Sequence, residues 1–390
     1  MRRIETPGRM TGTDMVHPRA ESADRSLGGL FVEKKRLLFL TNHLFVGGVD
    51  KAVVDIVNGL DKDRFDVTLM VLFRFDPDRH VIDPRVHVKP VFKTYFKGLS
   101  RLLSLCPQTW LYRRLIKERY DYEIAFQAGV PTRLLSRSPS QAVKIAWMHG
   151  LDMEHGEEHR QFDKMVFVSQ EVLDTFAPVF GRREDMVLCY NPMNCAAIEQ
   201  AAAEPIEEET PDVRPILCTV GRFSPEKGYL RLLACHKALL DEGIRQQLWF
   251  VGDGDERGSM EAYIRENHLE DSVKLWGYQT NPYRFVSRAD VFVCSSFNEG
   301  FSVAATEAVL LGRPVVTTNV CGARELLGDS EYGIVTENSE EALLDGLRRM
   351  LPEEVRRRYA ALAAERADAF CRTDRIGAIE ALFTGGEKDR

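Results

Sequence analysis

The sequence predicts an α/β protein built from two doubly wound parallel-sheet domains, and three observations carry that expectation. Short continuous apolar runs of strand length alternate with helical patterns, as in parallel sheets buried on both faces. The alternation occurs twice, interrupted by an alanine- and glutamate-rich stretch at 196–214 that contains Pro205 and Pro211. The chain of 390 residues also exceeds what one ordinary core uses.

Taken in order, residues 1–35 carry charges, prolines and glycines without periodicity and read as a disordered N-terminal extension, with Met10 or Met15 as alternative starts. The first domain is expected at 36–195. Its first strand, from Lys35 through Thr41, runs into Asn42–Asp50 and then a helix with Ala52, Val53, Ile56, Val57 and Leu60 on one face. Gly47 and Gly48 in that turn either let backbone approach a ligand or simply make a tight turn. Strands follow at Val67–Phe73, Tyr122–Phe126, Val143–Trp147, Lys164–Val168 and Met186–Cys189. His149 lies just past one strand and His43 just past another, where open α/β sheets bind ligands, although a lone histidine is as readily structural.

The stretch 196–214 reads as an interdomain linker, and the second domain is expected at 215–370. Its first strand, Pro215–Val220, enters Gly221-Arg-Phe-Ser-Pro-Glu-Lys-Gly. Ser224 as N-cap, Pro225 and Glu226 predict a helix start there. Lys227 in its first turn would be opposed by the helix dipole by roughly 0.3–1 kcal/mol, which makes sense if an anion lies between Lys227, Arg222 and the helix end. Further strands are expected at Gln247–Val251, Val273–Leu275, Asp290–Cys294 and Pro314–Thr317. The tail is helical from Glu353, and residues 371–390 form a C-terminal helix and tail that can cross back to the first domain.

Within this series, Cys294–Gly312 concentrates the chemistry. Ser302 is placed to cap a helix of Val303, Ala304, Ala305, Ala308, Val309, Leu310 and Leu311, a wholly apolar set in which Glu307 is embedded. A buried carboxylate costs several kcal/mol unless it is hydrogen-bonded. Glu299 sits in the turn before the helix, whose N–H groups and positive dipole end suit an anion. The alternative is a capped core helix whose Glu307 pairs with a lysine or arginine elsewhere.

Composition excludes several classes. A hydrophobic share of 44% and a charged share of 28% are those of a globular chain, and a net charge of −7 argues against general nucleic-acid binding. No run approaches the roughly 18 apolar residues of a membrane span. No apolar segment follows Met-Arg-Arg, so no secretory signal is expected. The eight cysteines include no C-x-x-C pair and read as reduced core thiols, which favours the cytosol. There is no P-loop, and Val251-Gly-Asp-Gly-Asp lacks the third glycine of a dinucleotide fingerprint. The pairs Asp61/Asp63, Asp76/Asp78 and Asp253/Asp255 are of a kind common by chance, and no metal or other cofactor is expected. Lys93–Arg119 carries seven basic residues against Glu118 alone, so +6, interleaved with aromatic and leucine side chains. Such a segment lies on an anionic membrane surface or is a domain helix with a solvated basic face.

The motifs Val-Gly-Arg-Phe-Ser-Pro-Glu-Lys-Gly (220–228), Phe-Val-Gly-Asp-Gly (250–254), Trp-Gly-Tyr-Gln-Thr-Asn-Pro-Tyr (276–283) and Ser-Ser-Phe-Asn-Glu-Gly-Phe-Ser-Val-Ala-Ala-Thr-Glu-Ala (295–308) follow one another. In this order, with a glutamate pair spaced E-x7-E, the chain resembles a retaining glycosyltransferase of family 4, of the kind that builds bacterial polysaccharides and capsules. Gly47-Gly-Val-Asp-Lys-Ala matches that family's glycine loop more weakly. The resemblance spans roughly residues 36–385 and implies a GT-B fold, two Rossmann-like domains facing across a cleft, the first taking the acceptor and the second the nucleotide sugar.

It implies that Arg222, Lys227 and the backbone of Gly300, Phe301, Ser302 and Val303 hold the donor diphosphate. It places Glu299 on the sugar hydroxyls, Glu307 on the ribose, Gly48 by the β-phosphate, His149 near the donor sugar and Tyr278 beside the nucleobase. On this reading the ligand supplies Glu307's partner. Glu299 and His149 are the candidate catalytic residues, and no metal is required. The implied reaction moves a hexose or N-acetylhexosamine from a nucleotide sugar, UDP-linked by preference, to a membrane-linked glycolipid or growing polysaccharide. The expected place is the cytoplasm, peripherally at the inner face of the membrane. A nucleotide-sugar epimerase or hydrolase, or a non-catalytic binding scaffold, are the alternatives on the same fold.

Overall fold

The structure is a computed structural model that describes residues 33–384 except 45–46, 95, 97, 152–155, 182–183 and 209–212. The expected extension before residue 33 and its alternative starts lie outside the described residues.

Seven parallel strands form the first sheet in the order β3-β2-β1-β4-β5-β6-β7. They are β1 (Lys35–Leu44), β2 (Phe65–Phe75), β3 (His87–Pro90), β4 (Tyr122–Ala125), β5 (Val143–Met148), β6 (Lys164–Phe167) and β7 (Met186–Leu188). Between them run α1 (Gly48–Gly59), α2 (Leu99–Leu105), α3 (Gln108–Leu115), α4 (Val130–Ser136), α5 (Gly156–His159) and α6 (Gln170–Phe180). The apolar run of β1 serves two layers at once: Leu37 and Phe39 enter one hydrophobic cluster, and Leu38 and Leu40 enter another. A strand covered by helices on both faces has no polar side, so its period of two vanishes from the sequence.

The second sheet has six parallel strands in the order β10-β9-β8-β11-β12-β13. Its strands are β8 (Ile216–Val220), β9 (Gln247–Val251), β10 (Val273–Leu275), β11 (Val291–Cys294), β12 (Val315–Thr318) and β13 (Ile334–Thr336). The helices, in chain order from the end of the first sheet, are α7 (Cys195–Ala202), α8 (Tyr229–Asp241), α9 (Arg257–Glu266), α10 (Tyr283–Val286), α11 (Val303–Leu310), α12 (Ala323–Leu327), α13 (Glu340–Met350), α14 (Glu353–Cys371) and α15 (Arg375–Thr384). The same two-faced burial recurs in β9, where Trp249 and Val251 pack to one side and Leu248 and Phe250 to the other. The edge strands β3 and β13 are additional to those expected from sequence. At four and three residues, and with His87-Val-Lys-Pro hardly apolar, they carry little pattern.

Two findings correct the sequence reading. The start signal at Ser224–Glu226 opens only a 3₁₀ turn over Pro225–Lys227, without a side-chain cap, and α8 begins at Tyr229 after Gly228 in left-handed backbone. Ser224 spends its hydroxyl on Glu226 Oε1 at 2.6 Å. Lys227 therefore closes a short turn and does not sit in the first turn of an α-helix, so the expected dipole penalty does not apply. The cysteines are also not all reduced thiols: Cys195 and Cys371 form a disulfide. They are 176 residues apart, and only the path of the chain brings them together.

The first eight residues after Asn194 are helical, and α7 buries Ile198 against Leu310 and Ala367 of the second domain. At the other end α15 lies on the first sheet. The Phe383 ring meets Phe39, Phe65 and Tyr122 at 6.3, 5.8 and 5.3 Å, and Glu380 pairs with Arg64 at 2.6 Å. Among the described residues no helix is long and apolar enough to cross a membrane.

Candidate active site

Each sheet reverses its strand order once, between β1 and β4 in the first and between β8 and β11 in the second. Ligands of open α/β sheets bind outside the carboxyl ends of strands at such reversals. Here both reversals open onto one cavity of about 1000 Å³, lined by His43, Gln127 and His149 from the first sheet and by Gly221 and Ser295 from the second.

Two separate pieces of the second domain interlock on its wall. Lys227 Nζ lies 2.7 Å from Glu299 Oε1, which also accepts from Ser296 Oγ at 2.6 Å. Ser295 Oγ donates to Lys227 O at 2.9 Å, and Phe297 N donates to Glu226 O at 2.7 Å. Behind them the buried Arg231 donates from Nε to Ser295 O and from Nη2 to Ser296 O, at 2.8 and 2.7 Å. Burial alone would lower the ammonium pKa of Lys227, but the Glu299 carboxylate outweighs it and the pKa is raised. Lys227 therefore stays cationic. Arg222 is exposed on the rim, and a Cβ on Gly47 would lie 3.6 Å from its Nη2.

Ser302 caps α11 as its position predicts, accepting from Ala305 N at 3.3 Å. The helix end with Gly300, Phe301, Ser302 and Val303 faces the cavity, opposite Gly48. A Cβ on Gly48 would sit 3.1 Å from Val303 Cγ2, so the glycine loop of the first domain comes close to the helix start of the second. Gly300 is tighter still: a Cβ there would fall 1.6 Å from the carbonyl oxygen of His149. Gly252 and Gly254 serve packing against the 221–223 loop, since their Cβ atoms would lie 1.9 Å from Gly221 O and 2.4 Å from Phe223 O.

Glu307 is 6% exposed and does not depend on a ligand for its partners, which corrects the expectation from the resemblance. Tyr283 donates to its Oε1 at 2.9 Å, and Lys51 of α1 reaches the same oxygen at 3.5 Å across the cleft. A lysine elsewhere in the chain is thus one of its partners. Burial still raises the Glu307 pKa, opposed by Lys51 and Tyr283. Lys51 stays charged because Glu307 and Asp55, the latter at 2.5 Å, outweigh its own desolvation.

On the opposite wall, burial pushes the His149 imidazole down to about 3, against smaller upward effects of a hydrogen bond with the Phe126 backbone and of Asp50. It is a neutral ring whose Nε2 is buried without a protein partner. Asp50, 1% exposed, accepts from Gln127 Nε2 at 3.0 Å and lies 3.2 Å from His43 Nδ1. At the cleft's far end Arg79 stacks over the Tyr278 ring at 4.3 Å.

All eleven candidate residues named from sequence line this cavity. Sequence reasoning missed Lys51, Asp50, Gln127 and Tyr283. Tyr283 ends one of the quoted motifs and Asp50 and Lys51 lie within the glycine loop, so their positions were visible although their partners were not. Among the described residues no three histidine, cysteine or acidic side chains converge as metal ligands.

Comparison with known proteins adds the family. Residues 201–367 match the family described as glycosyl transferases group 1. The chain is 32% identical over 186 residues to an N-acetylgalactosaminyltransferase of Campylobacter jejuni acting on a diphospho-undecaprenol substrate; the match covers 47% of this chain and about half, 49%, of that relative. It is 29% identical over 321 residues to the lipopolysaccharide core biosynthesis glycosyltransferase LpsD of Rhizobium meliloti, covering 82% of this chain and 89% of LpsD. Among solved structures, Anabaena HepE in complex with UDP and glucose superposes with a TM-score of 0.67 at 18% identity, over 90% of this chain and 98% of HepE, a likeness of fold.

Proposed function

Because the chain belongs to the group 1 glycosyl transferases, family 4 with the GT-B fold, we propose that it transfers a hexose or N-acetylhexosamine from a UDP-sugar to a membrane-linked glycolipid or growing polysaccharide. The observation that carries this reading is the interlock of the 221–228 loop with the 295–300 turn, Lys227 against Glu299 at 2.7 Å, beside the start of α11 on the wall of one cavity.

The charges fit the chemistry. Departure of a nucleoside diphosphate builds negative charge on its oxygens while the sugar becomes oxocarbenium-like. Lys227, Arg222 and the N–H groups at the start of α11 stabilise that leaving group. The bond from the anomeric carbon to the phosphate oxygen breaks, a bond to the acceptor oxygen forms with retention, and the acceptor's proton passes to the departing phosphate. Glu299 is then the group on the sugar hydroxyls, Glu307 receives the ribose hydroxyls alongside Tyr283, and the neutral His149 offers Nε2 to the sugar. Tyr278, with Arg79 over its ring, borders the base. Closure of the cleft excludes water and favours transfer over hydrolysis.

The acceptor side is supported by the basic segment. Leu102, Leu105 and Trp110 on α2 and α3 are exposed, at 54%, 79% and 59%, beside the exposed Arg101, Arg113 and Arg114. Apolar wedges among cations suit an anionic bilayer surface, which supports peripheral attachment at the inner face of the membrane. Incubation with UDP-, GDP- and ADP-sugars, read by thermal protection and by product mass, tests the proposal. Protection by a UDP-sugar and a glycosylated lipid product are expected. Protection by none of the donors refutes it, and donor loss without a new glycoside reassigns the site to hydrolysis or epimerisation.

A further inference from the structure

The two segments that join the domains are tied to each other. The chain leaves the first sheet after β7 and enters α7 at Cys195; it leaves the second domain at Cys371, the last residue of α14, and α15 returns to the first sheet. The Cys195–Cys371 disulfide, with Cα atoms 6.1 Å apart, closes a ring of chain that contains the whole second sheet. Non-covalent ties accompany it. Arg375 Nη1 donates to Asn191 O at 2.7 Å, and its guanidinium lies 5.4 Å from the Tyr190 ring and 4.5 Å from the Phe370 ring.

This pair differs from the other cysteines. Five of those are buried and Cys106 is half-buried, all as free thiols, whereas Cys371 is exposed and Cys195 half-buried. A reductant can therefore reach the bond without unfolding the chain. The neck is also connected to the candidate site. Ile198 of α7 and Leu310 of α11 share a hydrophobic cluster against which Cys195 and Tyr283 pack, and Tyr283 holds Glu307.

We propose that Cys195–Cys371 is a reversible thiol–disulfide exchange site that sets the stiffness of the interdomain neck. A dithiol supplies two electrons and two protons: the Sγ–Sγ bond breaks, two cysteine thiols form, and the dithiol ends as its own disulfide. Oxidised, the outgoing and returning segments move as one. Reduced, they separate, and α7 and α15 open independently, which changes how often the cleft closes. Only the effect on turnover rests on the proposed transfer.

Amide hydrogen exchange on the full chain, oxidised and after dithiothreitol, tests this. Reduction is expected to speed exchange at least threefold in peptides covering 189–202 and 366–384 and to leave β8, β9 and β11 unchanged. Cys195→Ser and Cys371→Ser each reproduce the fast exchange and abolish the response to reductant, whereas Cys106→Ser keeps it. Equal exchange in the two redox states overturns the proposal, as does labelling of both thiols by iodoacetamide before any reductant is added. Because the wild-type chain is compared with itself, misfolding of a variant does not confound the result. A chain that binds no nucleotide sugar still reports it, so the two proposals fail separately.

Discussion

Gly300→Ala is the sharpest steric probe of the cleft. The added methyl carbon would lie 1.6 Å from the His149 carbonyl oxygen, 2.5 Å from its carbonyl carbon and 3.0 Å from Gly150 Cα. Real Cβ contacts essentially never fall under 3.0 Å, so going from 1.6 to 3.0 Å requires the two backbones to part by at least about 1.4 Å. No rotamer can absorb this, because the obstacle is backbone of the other domain. The first domain's wall with His149 must move away from Glu299 and the start of α11. A misplacement of about 1 Å at a reacting centre costs on the order of 10²-fold in rate. The expected outcome is a loss of sugar transfer of about 10²-fold, with binding of UDP alone reduced far less, because on the proposed reading the second domain supplies the diphosphate contacts. Transfer is measured with donor saturating, and UDP binding by calorimetry. A variant with unchanged transfer would refute the reasoning, since it would mean that this contact is absent in the working enzyme.

Lys227→Ala removes the cation proposed to face the leaving group and is expected to slow transfer by roughly 10²–10³, about 2.7–4 kcal/mol, in steady-state kinetics. Lys51→Met leaves the buried Glu307 with Tyr283 alone and is expected to destabilise the fold by about 1–3 kcal/mol in urea unfolding. His149 gives a pH signature: its ring titrates at about 3 in the folded chain, below its ordinary 6.5, so the unfolded chain binds the proton first. Its contribution is complete above pH 6.5 and is lost as pH falls toward 3, by about 3 kcal/mol at pH 4. His149→Gln is expected to flatten the acid limb of the stability profile correspondingly. Leu105→Ser with Trp110→Ala should reduce co-sedimentation with phosphatidylglycerol vesicles while leaving UDP affinity unchanged.

Much of this was legible in the sequence for a physical reason. A parallel sheet covered on both faces writes unbroken apolar runs, and β9 and β10 appear with the very boundaries their residues suggest. The cap at Ser302 is local chemistry and is seen directly. Pairing across the fold leaves no such trace. Ser224-Pro-Glu carries every local mark of a helix start, yet the turn ends at Gly228 in left-handed backbone, where a side chain would strike Ser295 O at 2.4 Å. Glu307 announced its need for a partner, but Lys51 is 256 positions away and belongs to the other domain. The disulfide was illegible for the same reason, since the spacing of Cys195 and Cys371 matches no local motif.

On the proposed reading, the 221–228 loop, the 295–300 turn and the start of α11 form one site for a sugar nucleoside diphosphate. Calorimetric titration of the full chain with UDP, for wild type and for Lys227→Ala, probes that site. One equivalent of UDP bound by wild type, with at least tenfold weaker binding by the variant, is the predicted result. Equal affinity in the two proteins, or no heat of binding to the wild type, would contradict it.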